Sequence, residues 1–131
     1  NIFIYPDREE IKHLFNNPHS GAYGIFANGV LVGLGGYLTE YKGLSLKVGH
    51  FEISSIYIAK THRHKGLGRL LLEKVLKELK EKEDYKKIFL TVSPLNINAI
   101  ILYLNSGFVI FDFKKNYYGE KENRLFMELN S

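Results

Sequence analysis

The segment LGRLLLEKVLKELK, Leu67 to Lys80, sets Leu67, Leu71, Val75 and Leu79 four residues apart, with Leu72 and Leu76 beside them. Spacing near the helical repeat gathers these side chains on one face, so the segment is an amphipathic helix that must bury that face. Apolar runs flank it, HFEISSIYIA (His50 to Ala59) ahead and KIFLTVS (Lys87 to Ser93) behind. Strand, helix and strand in close succession form a βαβ unit, whose two strands are expected to be parallel neighbours in one sheet.

The rest of the chain extends that frame. IFIY opens it as a strand, and Asp7 is placed to cap a short helix, DREEIKHLF, ended by Asn16-Asn17-Pro18. AYGIFA and VLVGLGGYL flank Asn28-Gly29, a hairpin signal because both turn positions of the favoured two-residue loop need positive φ. EYKGLSLKVG is a loop before the His50 strand. After KIFLTVS, the segment NINAIILYLNS reads as a helix with Ile97, Ile100, Ile101 and Leu104 as its buried stripe and Gly107 as its stop. GFVIFDF and the alternating RLFMELN complete and close the sheet. Glu73 to Lys77 and Glu78 to Lys82 are helix-stabilising pairs at i, i+4. The expected fold class is α/β (α+β): a mixed, mostly antiparallel sheet with one parallel pair, flanked by helices.

Composition narrows the options. The 131 residues, 45% hydrophobic and 24% charged, suit one domain over 1–131, and no repeat or linker divides them. The chain opens on Asn1 rather than Met, which leaves its native start open. The longest apolar run, Ala99 to Leu104, is far below the roughly 18 residues that suggest a membrane span. With no charged-then-apolar leader either, a cytoplasmic protein with no membrane partner is expected. Zero cysteines exclude disulfides, thiol nucleophiles and thiolate metal sites. A net charge of +4 and a pI near 9.2 suit an anionic ligand without demanding nucleic acid, and no aromatic-and-basic stripe of the RNA-reading kind occurs.

The turn RHKGLG, Arg63 to Gly68, stands where the strand hands over to the Leu-rich helix. A helix start offers unpaired N–H groups and the positive end of its dipole, and glycine lets the backbone approach a ligand closely. His62, Arg63, His64, Lys65 and Arg69 surround Gly66 and Gly68, so a polyanion is the natural guest; a tight turn under a solvated basic face is the plainer reading. A Walker loop is absent, and a dinucleotide fingerprint fails because Leu71 replaces its third glycine and no acid ends the strand at Thr91, Val92 and Ser93.

Arg63-His64-Lys65-Gly66-Leu67-Gly68 resembles the [RQ]-x-x-G-x-[GA] loop of the GNAT superfamily of N-acetyltransferases. Asn96 to Phe108, NINAIILYLNSGF, is similar to that family's N-x-x-A-x-x-x-Y-x-x-x-G-F segment at every specified position. The likeness covers roughly Ala22 to Leu129. It implies acetyl-CoA as donor. By this resemblance the backbone from His64 to Arg69 would hold the pyrophosphate, with Arg63, Lys65 and Arg69 steering phosphate. Ile56-Tyr57-Ile58 would pair with the pantetheine arm, Asn96 would contact that arm, and an N–H near Ile56 or Tyr57 would serve the oxyanion.

Direct acetyl transfer to an amine needs a neutral nucleophile, stabilisation of the developing oxyanion and a proton for the departing thiolate. Tyr103 suits the last task, since an unperturbed phenol with a pKa of about 10 is protonated at neutral pH; by position alone, packing beside Ala99 serves equally. Glu52 is the candidate base, at a separation from Arg63 where many family members place a catalytic glutamate. A polar-face carboxylate and water-mediated proton loss are its competitors. Thr91 stands where some relatives that acetylate protein N-termini carry a glutamate, and a hydroxyl cannot replace that base.

Substrate hints are few. Lys114-Lys115-Asn116-Tyr117-Tyr118 resembles the loop lining the peptide path in protein N-α-acetyltransferases, including the ribosomal-protein-alanine type, so Tyr117 and Tyr118 are candidate substrate contacts; packing at a hairpin mouth is the other reading. Glu52 with Ile56-Tyr57-Ile58 also resembles polyamine-type acetyltransferases. The expectation is an N-acetyltransferase acting on a peptide N-terminus, with a small polyamine-like amine or a non-catalytic acetyl-CoA-binding module as rivals. Monomer and homodimer stay equally open. His62 and His64 form an isolated pair without nearby acids, which points away from a metal site, and no Ser/His/Asp arrangement singles out a nucleophile.

Overall fold

Asn28 and Gly29 take φ values of 51° and 80°, the conformation the two-residue hairpin demands, and they join strand β2 (Ser20–Ala27) to β3 (Val30–Leu38), antiparallel from Ala27↔Val30 with a one-residue register shift between Ile25 and Phe26. The computed structural model describes residues 2–6, 20–41, 44–54, 56–82 and 84–130. The helix expected over Asp7 to Phe15 and its Asn16-Asn17-Pro18 stop lie outside the described residues. The chain divides into two compact units, Asn1–Tyr85 and Lys86–Ser131.

In the first unit, β1 (Ile2–Pro6) runs antiparallel to β2, so the opening IFIY is a strand as expected. The segment read as a loop contains a small two-stranded ribbon, β4 (Glu40–Tyr41) with β5 (Leu44–Ser45). The expected single strand from His50 to Ala59 is interrupted: β6 (His50–Ile53) and β7 (Tyr57–Ile58) both pair antiparallel with β3. Helix α1 (Leu67–Lys80) lies against β3, β2 and β7 and buries Leu67, Leu71, Leu72, Val75, Leu76 and Leu79, the stripe its spacing predicts. Leu71 passes directly over Gly35, where a Cβ would sit 3.2 Å from its Cδ2.

The pairs expected along α1 are rearranged. Glu73 binds Arg69 at 3.1 Å rather than Lys77, and Glu78 accepts a 2.6 Å hydrogen bond from the Tyr23 hydroxyl. Lys82 stands 5.7 Å from the centre of the Tyr37 ring. Each acid has cations within reach on more than one side, and a fixed phenol on the neighbouring strand outcompetes a mobile ammonium.

In the second unit, β10 (Arg124–Asn130) pairs antiparallel with β8 (Lys87–Val92) on one side and β9 (Val109–Lys114) on the other. The last strand therefore inserts between its predecessors instead of closing the sheet from outside. A one-residue register shift at Phe126/Met127 breaks the alternation, and both residues are buried. Helix α2 (Ile97–Asn105) ends where expected: Gly107 has φ 100° and the Phe108 N–H reaches the Tyr103 carbonyl at 3.0 Å.

The stripe assigned to α2 is a correction. Ile97, Ile101 and Leu104 are 58%, 50% and 46% exposed, Ile100 is half-buried, and the buried side chain of the helix is Tyr103. Ile101→Asn should therefore change unfolding free energy by no more than about 0.5 kcal/mol, whereas Leu72→Ala in α1 should cost roughly 2–5 kcal/mol. Urea unfolding of both variants checks the contrast, and similar losses would contradict it.

Candidate functional site

In the first unit the site-bearing stretch runs from β6 to the mouth of α1. Three consecutive contacts keep β6 in step with β3: Glu52 with Leu38, Ile53 with Tyr37, and the Ser54 N–H to the Gly36 carbonyl at 2.9 Å. At Tyr57↔Leu34 and Ile58↔Gly33 the register has slipped by one residue, so the bulge falls between Ser54 and Tyr57. Beyond it the Ala59 N–H meets the Val32 carbonyl at 2.7 Å. Alternation along that ladder turns the Ile56 N–H away from β3, leaving it for something other than this sheet edge.

A short turn of 3₁₀ helix, Lys60–His62, then delivers the chain to the basic loop. His64 and Gly66 take φ values of 62° and 76°, left-handed conformations that swing the backbone into the start of α1. Gly66 occupies the N-cap position without any side-chain cap, and no acid stands in the first turn. Among the described residues, the backbone N–H groups from His64 to Arg69 donate no hydrogen bond. Arg63, His64, Lys65, Gly66 and Arg69 are exposed, Leu67 is buried and Gly68 is half-buried. Arg63 folds back, its Nε donating to the Ile58 carbonyl at 2.9 Å and its guanidinium 5.9 Å from the Tyr57 ring centre. A row of free donors at a helix start, with cations around it and no carboxylate in the first turn, fits the diphosphate of a nucleotide-like donor, although Glu73 already pairs with Arg69.

Glu52 is 7% exposed, and among the described residues its carboxylate has neither a hydrogen bond nor an ion pair. Burial pushes its pKa up to about 7 from the ordinary 4.5. An unpaired carboxyl held near neutrality can both take and release a proton. Sequence reading passed over Ser54, whose hydroxyl is buried without a hydrogen-bond partner; its spacing of two from Glu52 along a strand was the available signal.

The second unit carries the other candidates. Asn96 caps α2 through Oδ1, which accepts from the Ala99 N–H at 3.3 Å, so its amide group is what can meet a ligand. Tyr103 is 6% exposed, its ring packs edge-on to Phe108 at 5.9 Å, and burial pushes its pKa up to about 12. Its hydroxyl has no hydrogen-bond partner among the described residues. Thr91 lies half-buried on β8 opposite Phe126.

The β9–β10 loop is tied by its own bonds, the Asn116 N–H to Asn123 Oδ1 at 2.9 Å and the Lys121 N–H to Asn116 Oδ1 at 2.8 Å. Tyr117 packs edge-on to Tyr118 at 4.7 Å and to Phe126 at 5.0 Å, while Lys114 and Arg124 stand over Phe126 and Tyr118 at 4.9 and 5.1 Å. Burial, then the neighbouring Tyr118, raises the Tyr117 pKa. Among the described residues no cluster of three or more metal-ligating side chains occurs, and no helix is long and apolar enough to cross a membrane.

Comparison with known proteins gives four findings. The model of the acetyltransferase (GNAT) family matches residues 2–108. Spermine/spermidine N(1)-acetyltransferase of Bacillus subtilis (strain 168) is 33% identical over 100 residues, covering 75% of this chain and 64% of that protein, so the chain spans less than two thirds of that relative's length. N-alpha-acetyltransferase of Sulfurisphaera tokodaii is 32% identical over 82 residues, 63% of this chain and 48% of the relative. Among solved structures, a GNAT family acetyltransferase from Elizabethkingia anophelis with acetyl-CoA bound superposes with a TM-score of 0.78 at 20% identity, over 100% of this chain and 99% of that one. The fold expected from the sequence is the fold of that structure.

Proposed function

Because the chain belongs to the acetyltransferase (GNAT) family, we propose that it transfers acetyl from acetyl-CoA to a primary amine, with a protein or peptide N-terminus as the favoured acceptor and residues 1–131 acting as one N-acetyltransferase domain. The observation that carries the donor assignment is the uncapped mouth of α1, with its N–H groups from His64 to Arg69 unspent. Acetyl-CoA supplies an acetyl group activated as a thioester. The turn would grip its diphosphate, with Arg63, Lys65 and Arg69 adding charge. Ile56, Tyr57 and Ile58 would align the arm, the amide of Asn96 would contact it, and the Ile56 N–H would serve the oxyanion.

Glu52 would take the proton that the amine must lose, and Tyr103 would give one to the departing sulfur. A phenol pushed up to about 12 stays protonated at neutral pH, as a donor must. A protein that only bound acetyl-CoA would have no use for Glu52: an unpaired buried carboxylate costs stability without aiding affinity.

Acceptor chemistry follows from basicity. An α-amine of pKa near 7.8 is about one-seventh neutral at pH 7, while a lysine-like amine near 10.4 is neutral roughly once in 2,500. A base titrating near 7 suffices for the first. The Sulfurisphaera relative and the Tyr117-Tyr118 loop support the peptide acceptor; the Bacillus relative supports a polyamine as the second reading. Following CoA thiol release with an alanine-initiated peptide and with spermidine tests both. Saturable acetyl-CoA binding with no thiol from any amine would leave only the binding module.

Gly66→Val tests the turn itself. Nothing lies within 4 Å of a Cβ built there, so no clash threatens the fold, but a β-branched residue cannot rest at φ 76° and the loop must change shape. Acetyl-CoA affinity should fall about 10- to 100-fold, the worth of one or two charge-assisted hydrogen bonds, and calorimetry showing wild-type affinity would remove the turn from the donor site.

A further inference from the structure

Among the described residues of the first unit, the Ser54 hydroxyl is buried without a partner, and the unpaired carboxylate of Glu52, a buried residue, lies just before it along the same extended stretch. Glu52 and Ser54 lie two residues apart in the stretch where β6 keeps continuous register with β3, because the Ser54 N–H still meets the Gly36 carbonyl at 2.9 Å before the bulge begins. Residues at i and i+2 of a strand share a face, so the hydroxyl and the carboxylate point to the same side, their Cβ atoms about 6.7 Å apart. Across from Ser54 is Gly36, which offers no side chain and cannot carry one, since a Cβ there would run into the Gly21 carbonyl oxygen. Nothing on β3 can therefore satisfy the hydroxyl. Buried polar atoms without a protein partner are rare and mark a bound water or a ligand group.

We infer that Ser54 is a positioning residue: its hydroxyl and the Glu52 carboxylate hold one water between them, and that water carries the proton from the acceptor amine to Glu52. The spacing suits one water with two hydrogen bonds of about 2.8 Å. The acceptor ammonium gives a proton to the water as the water gives one of its own to the carboxylate. The outcome is a neutral amine, an unchanged water and a protonated Glu52, with no net change in charge. This rests on the acetyl-transfer reading above, though the hydrated pair itself does not.

Among the described residues, the titratable positions on the elements beside the pair are these. His50 shares their face two residues before Glu52; Tyr37 of β3 stands opposite Ile53, on the other face; β4 carries Glu40 and Tyr41. Burial is the cause of the rise in the Glu52 pKa.

The test uses the full chain with ¹³C-labelled glutamate, titrating the Glu52 carboxyl by NMR in wild type, Ser54→Ala and Ser54→Thr. Losing the water that solvates the carboxylate should raise the Glu52 pKa by about one unit, a tenfold change in its ionisation, in Ser54→Ala. Thr, which keeps a hydroxyl, should restore it. Thiol release with spermidine or an alanine-initiated peptide should fall in Ser54→Ala near pH 7 and recover at high pH, where the amine is already neutral, with acetyl-CoA affinity unchanged. A Glu52 titration identical in wild type and Ser54→Ala overturns the inference, as does a rate loss equal at every pH. If wild type turns over no amine while the titration shifts as expected, the acetyl-transfer reading fails and the hydrated pair stands.

Discussion

Glu52→Gln is expected to lower kcat/KM for the acceptor amine roughly 10²- to 10⁴-fold at pH 7, the range a positioned general base commands, and at the same time to make the protein more stable. The second half follows from the sign of the titration. In the folded chain the carboxyl has a pKa of about 7 against the ordinary 4.5, so the folded state binds the extra proton between those values. Its contribution to stability is full below pH 4.5 and is lost as pH rises through 7. By pH 8 the loss is on the order of 3 kcal/mol, at about 1.36 kcal/mol per unit. Gln cannot ionise and escapes it. Thermal unfolding should give the same Tm for both proteins near pH 4 and a higher Tm for Glu52→Gln at pH 8. The kinetic profile should agree: wild-type kcat/KM climbs through pH 7, whereas the variant, left with the fraction of amine already neutral, climbs only through the amine's own pKa. A variant that keeps the wild-type climb would acquit Glu52 and leave the proton to another group.

The two helices show what periodicity can decide. Around α1 the apolar positions alternate with Lys and Glu, so only one face can go inward, and the buried residues are those the spacing selects. Helix α2 has no charged residue, and Ile97, Ala99, Ile100, Ile101, Leu102, Tyr103 and Leu104 surround it. Several stripes then satisfy the same spacing, and the chosen one, through Ile97, Ile101 and Leu104, points to solvent. Asn96, Tyr103, Gly107 and Phe108 were legible by a different route, as positions of a motif that resembles the family's segment rather than as one face of a helix.

The bulge was hidden for a related reason. HFEISSIYIA is compatible with an unbroken strand, and one extra residue leaves no trace in composition. Only the shift from Ile53↔Tyr37 to Tyr57↔Leu34 exposes it. The turn at Gly66 was readable because positive φ at a helix start leaves glycine as the natural choice, whereas the unsatisfied hydroxyl of Ser54 depends on what β3 places opposite it, a fact of register. The same holds for β10: order along the chain does not reveal that the last strand inserts between β8 and β9.

Tyr103→Phe should reduce kcat about 10²- to 10³-fold while leaving acetyl-CoA affinity and folding stability nearly as they were. The stability side rests on what the hydroxyl does not do. It has no hydrogen-bond partner among the described residues, and the ring, not the oxygen, packs on Phe108. Removing it strands no buried group, so the change should stay within about 1 kcal/mol. The catalytic side rests on burial, which holds the phenol protonated well beyond neutral pH, as a proton donor must be. Departing-group chemistry offers a further check. A thiolate that must be protonated is sensitive to its own basicity, so an acetyl thioester of a more acidic thiol should recover much of the lost rate in Tyr103→Phe and gain little in wild type. Equal gains in both proteins, or a parallel loss of donor affinity and turnover, would mean that Tyr103 only fills space beneath α2.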